Sequence, residues 1–301
     1  MSLKLIEPHE IGNTQLLSST VPEDDAPEWA AGTYDTDDEV IVIGDTHAIF
    51  KSAVDGNTTN PIEDDGTNWV NIGSTNRWKA FDQYIGDPAT QADSLNWKLG
   101  FIDMTSGLAL IGVDAAEVTV VMRDGDDAIV FDETVSLQDE SGVIDAWTYF
   151  FTPIVRYGTF ALTDLPPYRN ATVEITASST GDMVQVGQVV VGLSETLGDA
   201  LNNMDLGIDD YSRVNTDDFG RRGIVERDYA ETMDLSFAYP TVKANYLRSR
   251  IASRRAKPTV FTVDTRYRDN DFIVYGFATS MTPYVRYAEI SEANIEVRSL
   301  V

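Results

Sequence analysis

The feature that most limits what this chain can become is its cadence between Ala109 and Gly192. Short apolar strand signals recur there, a turn signal follows each within about ten residues, and none shows the 3.6-residue helical period. Val118, Val120 and Met122 alternate against Glu117, Thr119 and Val121. The turn Asp124-Gly125-Asp126-Asp127 then leads into Ala128-Ile129-Val130-Phe131, which predicts a hairpin. An aromatic block, Trp147-Thr148-Tyr149-Phe150-Phe151, and the strand Phe160-Ala161-Leu162 follow, the latter ending on Leu165-Pro166-Pro167-Tyr168. Two apolar runs, 171–177 and 183–192, complete the series. Many short strands with regular turns predict a mainly β protein whose residues 76–193 form a β-sandwich of jelly-roll type.

Three further regions flank it. Residues 1–27 hold a short strand at Leu3-Lys4-Leu5-Ile6 and then a linker, Val21-Pro22-Glu23-Asp24-Asp25-Ala26-Pro27, whose prolines and acids favour extension. Residues 28–75 read as a small β-hairpin module. Trp29 and Tyr34 precede the strand Val40-Ile41-Val42-Ile43, Gly44-Asp45 turns the chain, and a second strand runs through His47-Ala48-Ile49-Phe50. A polar loop with Pro61 follows, and Trp69 and Gly73 close the module. About fifty residues without cysteine bury too little to stand alone, so the module is expected to lean on a neighbour. From Asn76-Arg77-Trp78 onward the β-rich region begins.

Residues 194–301 read as a C-terminal β domain with one helix. A polar, turn-rich link, 207–213 and 216–220, leads to a long strand from Ile224 to Tyr239, with Met233, Leu235 and Phe237 on one face. The helix starts at Pro240 or Thr241, places Val242, Tyr246, Leu247 and Ile251 on one face, and stops at Lys257-Pro258. Arg248, Arg254 and Arg255 are expected on the opposite face, as a partner interface. Strands resume at 259–263, 272–277 and 283–297.

Charge narrows the function classes. The net charge is −27, and it is unevenly placed: residues 1–212 carry 8 Lys and Arg against 37 Asp and Glu, whereas 213–301 carry 14 against 12. Such a field repels nucleic-acid phosphate and anionic lipid, so neither nucleic-acid binding nor membrane insertion is expected. The split suits an acidic body facing solvent and a near-neutral part facing protein, although acidity also simply keeps a body soluble. No apolar run reaches 18 residues, and the N-terminus lacks a secretory pattern, so synthesis in a cytoplasm is expected. With no cysteine there is neither a disulfide framework nor a thiolate.

Candidate chemistry is sparse. His9 and His47 are the two histidines, and no nucleophile elbow, phosphate loop or dinucleotide fingerprint occurs. No enzymatic activity and no cofactor are expected. His47 reads as a structural or surface histidine. The acidic turns at Asp35-Thr36-Asp37-Asp38 and Asp124-Gly125-Asp126-Asp127 lack EF-hand spacing and read as solvated hairpin ends rather than calcium sites. Trp29, Tyr34 and Trp69 have the flat apolar faces that stack on sugar rings; the competing reading is that they are the module's own core.

The pattern W-x-x-G-T-Y-x-x-x-D-x-V from Trp29 to Val40, followed by a hairpin and by N-W-x-x-x-G from Asn68 to Gly73, resembles the chitin-binding type-3 (family 5/12) carbohydrate-binding module. It departs after the second strand, where Lys51-Ser52-Ala53 stand in place of that family's adjacent aromatics. Over nearly the whole length the chain is similar to minor tail proteins of tailed bacteriophages and prophages. The residues that carry this are G-S-T-N-R-W-K-A-F-D from Gly73, F-A-L-T-D-L-P-P-Y from Phe160, I-D-D-Y-S-R from Ile208, D-D-F-G from Asp217 and V-E-R-D-Y-A from Val225. The resemblance implies a structural protein of a virion's tail tip or baseplate, oligomeric around the tail axis and joined to other tail proteins, with a contribution to host attachment. The alternative is a carbohydrate-binding adhesin that contacts host-surface glycan through Trp29, Tyr34, Trp69 and Trp78.

Overall fold

A computed structural model of the chain describes residues 1–139, 144–151, 155–216, 219–264, 272–284 and 288–300. The protein is mainly β, built on one large antiparallel sheet, and among the described residues only one helix reaches seven residues. The chain opens with β1 (Ser2–Pro8) and β2 (Leu16–Ser19). The small module holds β3 (Glu39–Val42), β4 (Ala48–Ser52) and β5 (Trp69–Ser74), and a one-turn helix α1 (Asn76–Lys79) leaves it. Next come β6 (Ala89–Phe101), β7 (Gly107–Asp114), β8 (Glu117–Arg123), β9 (Ile129–Ser136) and the short β10 (Gln138–Asp139). Then follow α2 (Ala146–Phe151), β11 (Val155–Arg156), β12 (Thr159–Leu162) and the 40-residue β13 (Ala171–Asp210). The last part comprises β14 (Arg213–Thr216), β15 (Arg222–Val225), β16 (Tyr229–Pro240), α3 (Ala244–Ser253), β17 (Thr259–Asp264), β18 (Phe272–Tyr284) and β19 (Ile290–Ser299).

β13 is the spine of the molecule. Its first leg lies between β6 and β8, with Ile175 opposite Trp97 on one side and Val120 on the other. Residues 179–182 then stand opposite Asp93 alone, and the strand continues between β6 and β7. Asp93 and Gly181 both take left-handed backbone at this bulge, and the Gly181 amide donates to Asp93 at 2.8 Å. A bulge bends its strand, and a strand that bends from one layer to the next makes the corner of a sandwich. The two layers enclose Leu95, Trp97 and Leu99 of β6, Val118 and Val120 of β8, and Val173, Val184 and Val186 of β13. Outside the corner, Arg156 donates to Asp114 and Asp182, both at 2.7 Å, and to Ser179 at 3.1 Å.

Past Gly192 the same strand changes partners. It pairs with β1 and then with β16; β1 pairs with β17, β17 with β18, β18 with β19, and β19 with β16. The ladder therefore returns to β13 and closes six described strands into an antiparallel barrel. Closure accounts for the alternation in the sequence: Leu3 and Leu5, Met233, Leu235, Phe237 and Tyr239, Phe261 and Val263, and Ile295 and Val297 all fill one interior. Leu247 of α3 joins that core. Ile6, Ala109, Ile111, Val190, Val260 and Tyr275 seal the barrel against the sandwich.

Several expectations change. The boundary expected at 193/194 falls inside β13, and the N-terminal strand is a barrel stave rather than part of a linker. The module has a third strand, β5, paired to β4, because Trp69 must lie over Val40, Val42, Ala48 and Phe50 to cover them. His47 is a turn residue with φ 48°, and strand pairing starts at Ala48. Trp78 lies in α1 and the aromatic block around Trp147 in α2, where strands were expected. The link expected at 207–213 is largely strand, β13 running to Asp210 and β14 starting at Arg213, and the strand from Ile224 is interrupted, β15 ending at Val225 and β16 starting at Tyr229. The helix is shorter than expected: residues 241–243 form a 3-10 turn, and Ala256 in left-handed backbone (φ 59°) turns the chain before Pro258. Val242 and Tyr246 are exposed, so the face turned to the barrel is that of Leu247 and Ile251. Asp217 and Asp218 of the link, and residues 285–287 of the last strand, lie outside the described residues.

Candidate functional site

Trp69 is 2% exposed, and its indole Nε1 donates to the Thr59 carbonyl at 2.8 Å. Tyr34 meets it edge-on with centroids 5.2 Å apart and closes its own turn by donating to the Ala30 carbonyl at 2.8 Å. Trp29 packs half-buried on the same core. The structure thus brings the three aromatics together, but as the module's interior. Trp69 offers no face to a sugar ring. Asp64 holds the loop that delivers it, accepting from the amides of Gly66, Asn68 and Trp69; the bond from Trp69 does most to hold its carboxyl below the usual carboxylate range.

The module is fastened to the sandwich through residues that sequence reasoning did not connect. Glu23, in the acidic linker, has a side chain only 4% exposed. His47 meets it through Nδ1 at 2.6 Å, the Thr75 hydroxyl donates to it at 2.8 Å, and Arg77 donates at 3.2 Å. The other ring nitrogen of His47 lies 2.6 Å from Asn13. His47 also stacks on Trp78 at 4.3 Å; Trp78 meets Phe81, and Phe81 meets Trp97 of the sandwich core. Trp78 is therefore a link in an aromatic ladder rather than a stacking platform. No local signal joins these residues, because Glu23 lies 24 positions before His47 and 54 before Arg77.

The three arginines of the helix separate. Arg248 and Arg255 are exposed. Arg254 turns inward and pairs with Glu7 of β1. Arg250, not singled out from the sequence, pairs with Glu7 and donates to Glu195 of β13 at 2.8 Å, and Tyr246 donates to the same Glu195 at 2.5 Å. This face of α3 is an internal clamp on two barrel staves.

An exposed arm extends from the end of β13. Asp210 is still paired with Tyr229, and beyond them β14 and β15 form a separate hairpin whose eight residues are all exposed. Ile208, Val214, Phe219, Ile224, Val225 and Tyr229 leave large apolar side chains bare on it, Phe219 at 90%. The same stretch of sequence carries Arg213, Arg221, Arg222 and Arg227, matched in number by Asp217, Asp218, Glu226 and Asp228. At its root Arg298 of β19 donates to the Tyr211 hydroxyl at 2.6 Å, pairs with Asp209 at 2.8 Å and sits 5.6 Å from the Tyr211 ring centre.

Chemistry is less developed. Among the described residues no three His, Asp or Glu gather closely enough to hold a metal ion. The acidic turns are self-capped: Asp124 accepts from the amides of Asp126 and Ala128, and Asp38 from that of Asp35. A cleft of about 370 Å³ between the end of β1 and the turn after α3 is lined by His9, Gln83, Gln188, Arg254, Lys257 and Tyr275. Burial, with the Asp82 charge adding, pushes the Tyr275 phenol up to about 12, away from the range useful for proton transfer near neutrality. Comparison with known proteins finds no matching family model, no matching curated protein and no matching solved structure.

Proposed function

We propose that this chain is a structural component of a phage-type tail tip or baseplate that assembles with other tail proteins and with copies of itself. The observation that carries the reading is the arm beyond Asp210 and Tyr229. The closed barrel has no unpaired strand edge of its own, whereas the β14–β15 hairpin beyond it has two, so the arm offers both backbone edges and side chains for association. The arm presents a run of apolar side chains, among four arginines and four acids that balance between 211 and 228, on a chain whose first 212 residues are strongly acidic. Large exposed apolar surface rimmed by charge is what interaction sites present. The resemblance to minor tail proteins in the same stretch, from Ile208 to Ala230, points the same way. Attachment to a host surface is part of the proposal, but not through Trp69, which lies in the module's core.

Deleting residues 194–301 would remove most of the barrel and so cannot separate folding from assembly. Replacing 211–228 by Asn-Gly instead joins the paired Asp210 and Tyr229 through a two-residue hairpin turn. The full chain is expected to form multi-subunit species by light scattering, and the trimmed chain to remain folded by circular dichroism yet stay monomeric. Unchanged assembly of the trimmed chain refutes the proposal.

A further inference from the structure

The turn between β3 and β4 meets the body of the protein through contacts whose hydrogens can be counted. Asn13, which precedes β2, places one side-chain atom 2.6 Å from the Gly44 carbonyl. A carbonyl oxygen only accepts, so that atom is the amide nitrogen, and the amide oxygen faces His47. This oxygen lies 2.6 Å from Nε2 of His47, so Nε2 carries a hydrogen. On the other side of the ring, Nδ1 lies 2.6 Å from Oε1 of Glu23. Two bare lone pairs do not approach so closely, so a second hydrogen lies between them. Whichever atom holds it, the pair has one proton more than a neutral ring facing a carboxylate. Turning the ring over changes nothing, because both of its nitrogens meet acceptors.

We infer that this proton is a latch: the module stays docked on the sandwich while His47 and Glu23 share it, and loosens when rising pH removes it. Without it, Nδ1 and Oε1 are two acceptors pressed together, and the side chains of His47 and Glu23 are only 13% and 4% exposed. The ring must then leave, and its bond to Asn13 and its stack on Trp78 go with it. Those partners belong to the body. Asn13 and Glu23 flank β2, which pairs with β6, and Arg77 ties Glu23 to the carbonyl of Val21 in the sandwich core. The other charges around the ring are Asp45 in its own turn, Asp25 of the linker, Arg77 of α1 and Asp82 after it. Carboxylates and guanidinium groups ordinarily titrate outside about pH 5 to 8, the range in which histidine changes charge. Asp82 is the exception, since burial holds its carboxyl above the usual range, and Asp82→Asn removes it from the test. The docked form holds the shared proton, whereas the loosened form, with ring and carboxylate in water, releases it. Docking is therefore favoured at the acid end and lost as pH rises through that range. The inference does not depend on the proposed tail role.

The test is thermolysin cleavage of the full chain carrying Asp82→Asn, at about pH 5 and about pH 8, the ends of that range. Cleavage between residues 20 and 75 is read against cleavage elsewhere in the same digest, so the protease's own pH dependence cancels. This ratio is expected to rise about tenfold or more from the acid to the alkaline digest. Glu23→Gln, added to the same chain, separates the latch from a merely structural role. Its amide nitrogen can donate to the bare Nδ1 of a neutral ring while its oxygen still accepts from Arg77, and the Thr75 hydroxyl can turn to the His47 carbonyl, 3.3 Å away. The Glu23→Gln chain is therefore expected to stay closed at both pH values. His47→Gln, which has no group that titrates in this range, is expected to lose the pH dependence. No rise in the parent chain, or a rise that survives either replacement, overturns the inference. A Glu23→Gln chain that is open at both pH values overturns it too, because Glu23 would then act only as a fixed acceptor for Arg77.

Discussion

Glu23 and Asp82 show how two carboxylates of an acidic chain acquire opposite roles. Glu23 is covered but receives His47, Thr75 and Arg77, so its burial is matched by partners. Asp82 is half-buried and accepts mainly from the Tyr84 amide, at 2.9 Å. Burial holds its carboxyl above the usual carboxylate range, with the Asp87 charge adding to the rise. The native state then keeps that proton more firmly than the unfolded chain does. The associated stability is complete below the ordinary carboxylate value, about pH 4, and is lost as pH rises through the raised native value. Asp82→Asn keeps an acceptor for the Tyr84 amide and removes the buried charge. It is expected to raise the denaturant midpoint near neutral pH and to leave it unchanged at acid pH; an equal effect at both would exclude this cause.

At the scale of elements, β13 decides the architecture because one strand serves two units. The transfer happens at Gly192, where β7 gives way to β1. A Cβ there would fall 1.7 Å from the Glu7 carbonyl oxygen, so no side chain fits without moving β1. Glycine inside a strand marks such close approaches of backbone. Gly192→Ala is expected to cost on the order of 3 kcal/mol and to expose β1 to proteolysis, whereas Gly223→Ala on the arm, with open space around it, should be neutral. Hydrogen exchange of the β1 amides would distinguish a local opening from a general loss. The sequence marked 183–192 as apolar strand, but nothing local marked Gly192 as a crossing point, because the crowding comes from a segment 185 positions away.

For the whole molecule the question is how far the module is a separate cooperative unit. Its core is Val40, Val42, Ala48, Phe50 and Trp69, with Trp29 and Tyr34 against them, and it touches the sandwich through the Glu23 cluster and the Trp78 ladder. Trp69→Ala should cost about 3–5 kcal/mol, more than so small a core holds in reserve. The expected result is an early unfolding step with cleavage confined to residues 28–75, while barrel and sandwich melt as before. A single shifted transition would show instead that the module and the rest fold as one unit.

The sequence by itself determined the class of the protein and most strand positions, since alternation such as Met233, Leu235 and Phe237 is written in neighbouring residues and follows from the two-residue period of a strand. It also determined the hairpins of β3 with β4 and of β8 with β9, because their turn residues are local. Only the tertiary structure decided that β1 closes the C-terminal barrel, that Glu23 receives His47 and Arg77, and that Arg250 and Arg254 clamp Glu7. Each of these joins groups dozens to hundreds of residues apart, and no local period or propensity encodes which of 49 acids meets which of 22 bases. The module's aromatics sit on the border between the two: sequence chemistry favours a core for Trp69 but leaves a sugar contact open, and its burial decides for the core.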